Sequence, residues 1–225
     1  ALQVAAPTPV AGNLTFASLT TGRWHTCGIT IGGDTYCWGW DHTGQLGTGV
    51  VSPERCLQVS GEGGDPCRRT PALVAGGHAF TTIAGSQVST CALTASDETY
   101  CWGSFYPALS DDLYCMGGSS GCIRTPALID TPVFDTIGVG DVHRCGRTGS
   151  GAVYCWGVNY QGWLGNGTTT ASETPSLVAG GIEYSQLVVG RLHTCGLDPD
   201  SAAHCWGSNA SGQLGDGTTA NRLLP

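Results

Sequence analysis

One pattern of cysteine, tryptophan and glycine recurs four times along this chain of 225 residues. Each unit has two cysteines separated by 10 positions, and the second cysteine is followed directly by Trp-Gly. The four pairs are Cys27 and Cys37, Cys91 and Cys101, Cys145 and Cys155, and Cys195 and Cys205. Such self-similarity is typical of repeat architectures, in which every unit adopts the same local structure. The sequence therefore predicts a repeat protein, and a repeat scaffold does not by itself identify its ligand.

Short segments bounded by turn-forming residues surround each pair of cysteines. In these segments apolar and polar residues alternate or β-branched residues are frequent, and Gly, Pro, Asp and Ser separate one segment from the next. This pattern is typical of strands rather than helices. Cys27 and Cys37 flank a turn-like segment at 31–34, which predicts a β-hairpin. Directly opposed residues of antiparallel strands have Cβ atoms roughly 4.5–5.5 Å apart, close enough for a disulfide. We therefore expect an all-β fold in which one disulfide clamps each of four hairpins.

The remaining four cysteines lie in two insertions that follow the first and second hairpins. They pair most simply as Cys56 with Cys67 and Cys115 with Cys122. Both bridges would rigidify long loops, at 50–68 and 104–123, and long ordered loops on a stiff scaffold are where binding usually lies. The 12 cysteines form no Cys-x-x-Cys pair, which favours disulfides over zinc or redox chemistry. This predicts a secreted or cell-surface protein in an oxidising compartment.

The charge balance argues against two classes of partner. The chain has 9 Lys and Arg against 17 Asp and Glu, a formal net charge of −8. Binding to nucleic acid requires clustered basic residues, and Arg68-Arg69 is the only adjacent basic pair. No apolar run approaches the ~20 residues that span a bilayer. We therefore predict no nucleic-acid partner and no membrane span.

The candidate reactive groups favour structural roles. His25, His143 and His193 occupy the same position in three hairpins, and a hydrogen bond to a neighbouring backbone accounts for them better than a metal does. The acids at 111–112 and 198–200 are typical of turns, where Asp bonds its own backbone, rather than of paired catalytic carboxylates. We therefore predict no enzyme activity, no metal and no cofactor.

Several aromatic residues on or near loops are candidates for a protein interface, because aromatic anchors dominate such interfaces. They are Trp40, Phe105, Tyr106, Tyr114, Tyr160 and Trp163. Trp163 stands out because the equivalent positions hold Gln45 and Gln213. Scattered exposed aromatics are also normal on protein surfaces.

Three short motifs carry a resemblance to a known family. They are His-Thr-Cys-Gly at 25–28 and 193–196, Tyr-Cys-Trp-Gly at 36–39, 100–103 and 154–157, and Gly-Gln-Leu-Gly-x-Gly at 44–49 and 212–217. The chain resembles the regulator of chromosome condensation repeat family, and most of all its secreted, cysteine-rich bacterial branch. The resemblance implies a β-propeller, usually of seven blades with four antiparallel strands each, that presents one face to a protein partner. The glycine loops are then expected to be tight turns with positive φ.

The resemblance implies a single repeat domain of four blades per chain. The expected bounds are about 13–74 for blade 1, about 75–129 for blade 2, about 130–178 for blade 3 and about 179–225 for blade 4. Each blade should end in a Thr-Pro-hydrophobic strand, but the fourth unit stops at 222–225. Thr8, Pro9 and Val10 have the same character, so we expect a strand at 8–12 to complete blade 4. The ring would close within one chain or between two copies, or else the chain is a fragment of a longer propeller.

These features predict a non-catalytic extracellular scaffold for protein interaction or self-assembly, with a terminal strand completing a blade in cis or in trans. One alternative is a structural subunit of an extracellular filament or a ring-forming homo-oligomer. Another is a secreted ligand-binding or inhibitor-like module. The expected partner is a protein or a further copy of the chain, and a glycan is a further candidate.

Overall fold

A computed structural model of the chain describes residues 6–56, 64–104 and 122–225. These residues form sixteen strands in four antiparallel sheets, and none of them lies in a helix. No helix within these ranges could therefore cross a membrane. Each sheet corresponds to one cysteine-containing unit, and we number the sheets blade 1 to blade 4 along the chain. The predicted all-β class and the four-blade organisation are confirmed.

The strands follow the chain order within each blade. Blade 1 contains β1 (Phe16–Thr21), β2 (His25–Thr30), β3 (Thr35–Trp40), β4 (Glu54–Cys56) and β5 (Asp65–Leu73). Blade 2 contains β6 (Phe80–Gly85), β7 (Ser89–Thr94), β8 (Thr99–Ser104) and β9 (Cys122–Ile129). Blade 3 contains β10 (Thr136–Val139), β11 (His143–Arg147), β12 (Val153–Gly157) and β13 (Ser172–Leu177). Blade 4 contains β14 (Gln186–Val189), β15 (His193–Leu197) and β16 (Ala203–Gly207).

The central hairpin of every blade carries the predicted disulfide. In blade 1, Cys27 lies directly opposite Cys37, with the two Cα atoms 4.1 Å apart. The other three blades repeat this register, with Cα separations of 4.0 to 4.1 Å. The hairpin turns place one residue in the left-handed region, for example Gly33 at φ 90° and Ser201 at φ 67°. The expectation of one disulfide in each blade is therefore confirmed.

Two blades depart from the expected four strands. Blade 1 has a fifth strand because its insertion folds back, so that β4 pairs antiparallel with β5. The disulfide Cys56–Cys67 joins these two strands. Blade 4 has three strands. Cys115 lies outside the described residues, so its pairing with Cys122 stays a prediction.

The two chain ends lie in or beside blades 1 and 4. Residues 7–15 form no strand, and residues 8–12 are exposed. At the other end, Arg222 bridges Gly207 at the register position where Arg68 pairs with Gly39 in blade 1. Completion of blade 4 by residues 8–12 therefore stays a prediction, as do the proposed blade boundaries.

The core lies between consecutive blades rather than inside any one of them. Substantial strand contacts join blade 1 to blade 2, blade 2 to blade 3 and blade 3 to blade 4. Each of the three hydrophobic clusters combines the disulfide of one blade with an aromatic pair from the following blade. The aromatic pairs are Phe80 and Trp102, Phe134 and Trp156, and Tyr184 and Trp206. A blade thus depends on its neighbours to bury its apolar surface, as expected of a repeat protein.

Candidate functional site: the faces of the blades

Every blade has two chemically different faces because side chains alternate along a strand. We call the face that carries the hairpin cysteines the disulfide face, and the face that carries the tryptophan of Cys-Trp-Gly the tryptophan face. In all three clusters the disulfide face of one blade packs on the tryptophan face of the next. The interfaces between blades therefore have a direction along the chain.

The glycine loop that follows β3 reaches across to the next blade. Trp102 donates its Nε1 hydrogen to the carbonyl oxygen of Gln45 over 2.9 Å. Gly47 has a φ of 67°, and a Cβ there would lie 2.7 Å from Trp102 Nε1. Gly165 in blade 3 stands in the same relation to Trp206, also at 2.7 Å. These turns have the predicted positive φ, and their glycines also let the indole approach the backbone.

A histidine latches consecutive blades at two of the three interfaces. His25 Nε2 lies 2.9 Å from Thr90 Oγ1, and His143 Nε2 lies 2.9 Å from Thr194 Oγ1. The partner is thus a threonine hydroxyl of the next blade, not the backbone group expected from the sequence. Burial lowers the pKa of His25 to about 4 and that of His143 to about 3, so both rings are neutral near pH 7. Among the described residues, no group of three or more His, Cys, Asp or Glu is placed to hold a metal.

The interface between blades 2 and 3 is built differently. Ser89 stands where the latching histidine would be, and Arg144 replaces the threonine. Arg144 is 2% exposed, and its Nη2 donates to the carbonyl oxygen of Ser104 over 3.0 Å. Trp156 Nε1 is buried and finds no hydrogen-bond acceptor within the described ranges. A buried arginine bonded to the backbone of blade 2 thus stands at this interface in place of the histidine–threonine pair.

A polar corner in blade 1 anchors the start of the first insertion. The carboxylate of Asp41 accepts from the backbone N–H of Leu46 over 3.4 Å and of Ser52 over 3.2 Å. Asn159 and Asn209 cap the equivalent loops of blades 3 and 4 through the same backbone position. Burial raises the pKa of Asp41 to about 6 despite these hydrogen bonds. This corner therefore carries a titratable group that its counterparts lack.

The aromatic interface candidates occupy different environments. Tyr160 is 55% exposed, whereas Trp40 is half-buried beside the ring of His42 at 5.4 Å. Trp163 is buried between blades 3 and 4, where its Nε1 donates to Ser208 Oγ over 2.8 Å, so it does not lie on the free surface. Phe105, Tyr106 and Tyr114 lie outside the described residues. Thr8, Pro9 and Val10 are exposed.

The acidic pair at 198–200 serves a turn. The Asp198 carboxylate accepts from the backbone N–H of Ala202 over 2.8 Å and lies 3.0 Å from His204 Nε2. These bonds, that to His204 first, lower the pKa of the Asp198 carboxyl. The pair at 111–112 lies outside the described residues.

Two faces at the ends of the array were missed from the sequence. Leu19 on the tryptophan face of blade 1 is 59% exposed, whereas the equivalent Ile83 of blade 2 is 9% exposed. Trp38 beside it is also partly exposed, because no described blade packs on it. On blade 4, no described blade packs on the disulfide face around Leu214. An alignment of the four units equates these positions with buried residues of the other blades, and this is the signal that could have identified them.

Comparisons with known proteins agree with this architecture. The regulator of chromosome condensation (RCC1) repeat profile matches residues 150–197, and a second RCC1 repeat profile matches residues 184–213. The chain is an RCC1-repeat protein. It is 32% identical over 209 residues to the human E3 ubiquitin-protein ligase HERC2, a match that covers 72% of this chain and 4% of HERC2.

Two solved structures share the fold. Human WBSCR16 superposes with a TM-score of 0.75 at 19% identity, covering 96% of this chain and 53% of WBSCR16. Yeast RCC1 (Prp20) bound to Kap60 superposes with a TM-score of 0.74 at 18% identity, covering 96% of this chain and 49% of the yeast chain. This RCC1-repeat chain thus spans about half of the length of each of these two proteins.

Proposed function

We propose that this RCC1-repeat chain is a non-catalytic scaffold that binds proteins outside the cell, either a different partner or copies of itself. The observation that carries the proposal is the role of the buried polar groups. His25 and His143 latch neighbouring blades, and Asp41 caps a loop. These groups maintain the scaffold, and the exposed loops and faces are left for recognition.

The similar proteins support an interaction role. The yeast RCC1 structure was solved with Kap60 bound. The term E3 ubiquitin-protein ligase describes a protein of which this chain matches 4% of the length, so ligase activity is not part of the proposal.

The disulfides support the extracellular setting. Five are present among the described residues: four within hairpins, and Cys56–Cys67 across an insertion. Disulfides persist in oxidising compartments and are rare in reducing ones. Titration of the purified, non-reduced chain with a thiol reagent should find no reactive thiol, and several free thiols would remove this support.

The experiment that tests the interaction role is a binding screen with the intact chain. The non-reduced chain is immobilised and probed with a panel of purified extracellular domains, with glycans and with itself. A reduced and alkylated sample serves as the control, because loss of the disulfides should unfold the blades. Saturable binding that disappears in the control supports the proposal. Absence of saturable binding to every probe contradicts it.

A second candidate function is a structural subunit that exchanges a terminal strand. The observation that favours it is the edge of β16. The equivalent strands β3, β8 and β12 each pair with a further strand, whereas β16 pairs beyond β15, within the described part of the chain, only through the bridge between Gly207 and Arg222. An unpaired strand edge is a template for strand addition, and the segment 8–12 has the Thr-Pro character of the outer strands.

Deletion of residues 1–12 tests this second candidate. Strand donation in cis predicts a lower unfolding midpoint and faster amide exchange in β16, and donation in trans predicts loss of assembly. Negative-stain imaging of the non-reduced chain would show rings or filaments if copies polymerise. If the deletion leaves stability, exchange and assembly unchanged, strand donation is wrong.

A further inference from the structure

We propose that Asp41 is a proton-controlled anchor for the insertion of blade 1. Its charged form holds Ser52 at the base of the β4–β5 pair, and its neutral form releases that residue. This inference rests on the proposed scaffold function and adds a regulation to one of its loops. A comparison of three equivalent corners, in blades 1, 3 and 4, carries it.

One hydrogen bond is common to the three corners. The residue at the corner is Asp41 in blade 1, Asn159 in blade 3 and Asn209 in blade 4. In each, a side-chain oxygen accepts from the backbone N–H of the leucine five positions later. The distance is 2.9 Å in blade 3 and 3.0 Å in blade 4, but 3.4 Å in blade 1. Blade 1 therefore keeps this bond with a looser fit.

The second polar atom of the corner side chain bonds in opposite senses in blades 1 and 3. An amide nitrogen donates, whereas an ionised carboxylate only accepts. Asn159 Nδ2 donates to the carbonyl oxygens of Thr168 and Thr170 over 3.0 and 3.1 Å. Asp41 Oδ2 instead accepts from the backbone N–H of Ser52 over 3.2 Å, and Ser52 holds the position of Thr170, 11 residues after the corner. The same stretch of backbone thus presents an N–H to the acid and carbonyl oxygens to the amide.

A proton on Asp41 gives its carboxyl the groups that an asparagine has, one acceptor oxygen and one donor. The acceptor would keep the bond from the leucine N–H. The donor would turn to a backbone carbonyl, as Asn159 does at Thr168. Val50 holds the position of Thr168, nine residues after the corner. The N–H of Ser52 would then lose its charged acceptor, so the neutral corner of blade 1 would adopt the bonding already seen in blade 3.

The surroundings of Asp41 place this change near neutral pH. Its side chain is 1% exposed, and burial raises the pKa of the carboxyl to about 6. The two backbone bonds oppose the rise in pKa, and so do the charges of Arg124 on β9 and Arg68 on β5. A further titratable pair lies next to the corner, where His42 Nδ1 and Asp65 Oδ1 are 3.2 Å apart. A test of Asp41 must therefore separate it from this pair.

Ser52 connects the corner to both strands of the insertion. Ser52 is 1% exposed, and besides its N–H its other two polar groups are bonded as well. Its hydroxyl donates to the carbonyl oxygen of Cys67 in β5. Its own carbonyl oxygen accepts from Arg55 Nη1 in β4 over 2.8 Å. The disulfide between Cys56 and Cys67 joins the same two strands. Release of the Ser52 N–H from Asp41 would therefore loosen the β4–β5 pair as a unit.

A pH titration of the backbone amides by NMR tests the proposal on the non-reduced chain. In the parent, the amide signals of Ser52 and of the β4–β5 pair should shift together, with a midpoint at about pH 6. Asp41→Asn should keep the low-pH positions throughout, because an amide does not ionise in this range. His42→Gln is the matched control, since it removes the neighbouring titratable ring and leaves Asp41 in place. The shift should remain in this control.

Amide hydrogen exchange measures the size of the release. After correction for the intrinsic effect of pH, exchange at Ser52 in the parent should be about tenfold faster at pH 5 than at pH 8, as expected for loss of a hydrogen bond to a charged group. In Asp41→Asn the corrected rate should be the same at both pH values. This variant should fold, because an amide occupies the same corner in blades 3 and 4.

The outcomes separate this inference from the proposed function, because neither measurement needs a partner. A Ser52 amide that neither shifts nor changes its corrected exchange between pH 8 and pH 5 overturns the inference. So does a shift that Asp41→Asn leaves intact or that His42→Gln abolishes. A shift and a faster exchange that Asp41→Asn removes and His42→Gln keeps support it. A chain that shows this titration but binds no probe in the screen would support the anchor and contradict the scaffold function.

Discussion

The interfaces on either side of blade 2 show how one packing scheme tolerates two different polar solutions. Between blades 1 and 2, His25 bonds Thr90, and Trp102 bonds the carbonyl oxygen of Gln45. Between blades 2 and 3, a serine and a buried arginine replace the first pair, and Trp156 Nε1 has no acceptor among the described residues. Both interfaces nevertheless bury a disulfide against two aromatic rings. The apolar layer therefore defines the fold, and the polar groups tune its stability and its response to pH.

The largest expected effect tests whether the apolar layer is common to both interfaces. Trp102→Ala and Trp156→Ala should each lower the free energy of unfolding by about 3–5 kcal/mol, because both remove a buried indole. Trp38→Ala is the matched control and should cost much less, since that ring is already partly exposed. Urea unfolding of the three variants measures these differences. A small effect at Trp156 would show that the second interface is not held by the same layer.

The next largest effect is a dependence of stability on pH, which is expected at the interface that contains His25 and not at the one between blades 2 and 3. The pKa of His25 falls from 6.5 to about 4 on folding. Below pH 6.5 the unfolded chain binds this proton while the folded chain does not, so stability falls as the pH drops from 6.5 to about 4. At about 1.4 kcal/mol for each pKa unit, the loss is roughly 3 kcal/mol.

Replacing the histidine isolates that contribution. His25→Gln should lose less stability on acidification than the parent chain does, in unfolding titrations between pH 8 and pH 4. Subtracting one stability profile from the other cancels the contributions of the titrating groups that both chains share. Asp41 is one of these groups, and its raised pKa of about 6 makes the folded chain more stable, not less, as the pH falls. Two profiles that run parallel across this range would contradict the role of His25.

A smaller effect distinguishes the indole hydrogen bonds. Trp102→Phe should cost about 0.5–1.5 kcal/mol beyond its packing loss, because the buried carbonyl oxygen of Gln45 loses the indole donor and keeps only the hydroxyl of Thr90. Trp156→Phe removes a buried N–H that has no described acceptor, so its cost should be limited to packing. Denaturant midpoints at one pH compare the two directly. Equal losses would mean that the bond to Gln45 contributes nothing.

The smallest effect concerns the substituted pair at the second interface. Ser89→His and Arg144→Thr should each destabilise the chain, and the double variant should recover part of the loss by restoring the histidine–threonine pairing. Neighbouring residues that share one space typically show coupling of about 0.5–3 kcal/mol. A double-mutant cycle measures the coupling. Additive losses would show that the two positions changed independently.

Much of this architecture could be predicted because the cysteine pairs that form disulfides, and the glycine motifs, recur at fixed positions in the units. The cysteine spacing fixes the hairpin register, so the disulfides of the four hairpins follow from the sequence. The glycine motif predicts positive φ, as seen at Gly47. The roles of Trp163 and Arg144 could not be read in this way, because both depend on which neighbour lies across an interface. The fifth strand of blade 1 depends likewise on how an insertion folds back, which no local pattern specifies.

Photo-crosslinking from blade 2 tests most directly the claim that the tryptophan face of one blade packs on the disulfide face of the preceding blade. A diazirine-bearing aliphatic side chain replaces Ile83 in the non-reduced chain, and the linked peptides are mapped by mass spectrometry after activation. The account predicts links within one chain that reach the Cys27–Cys37 hairpin or Leu46, which share a hydrophobic cluster with Ile83. Links that reach blade 3 instead of blade 1 would contradict it.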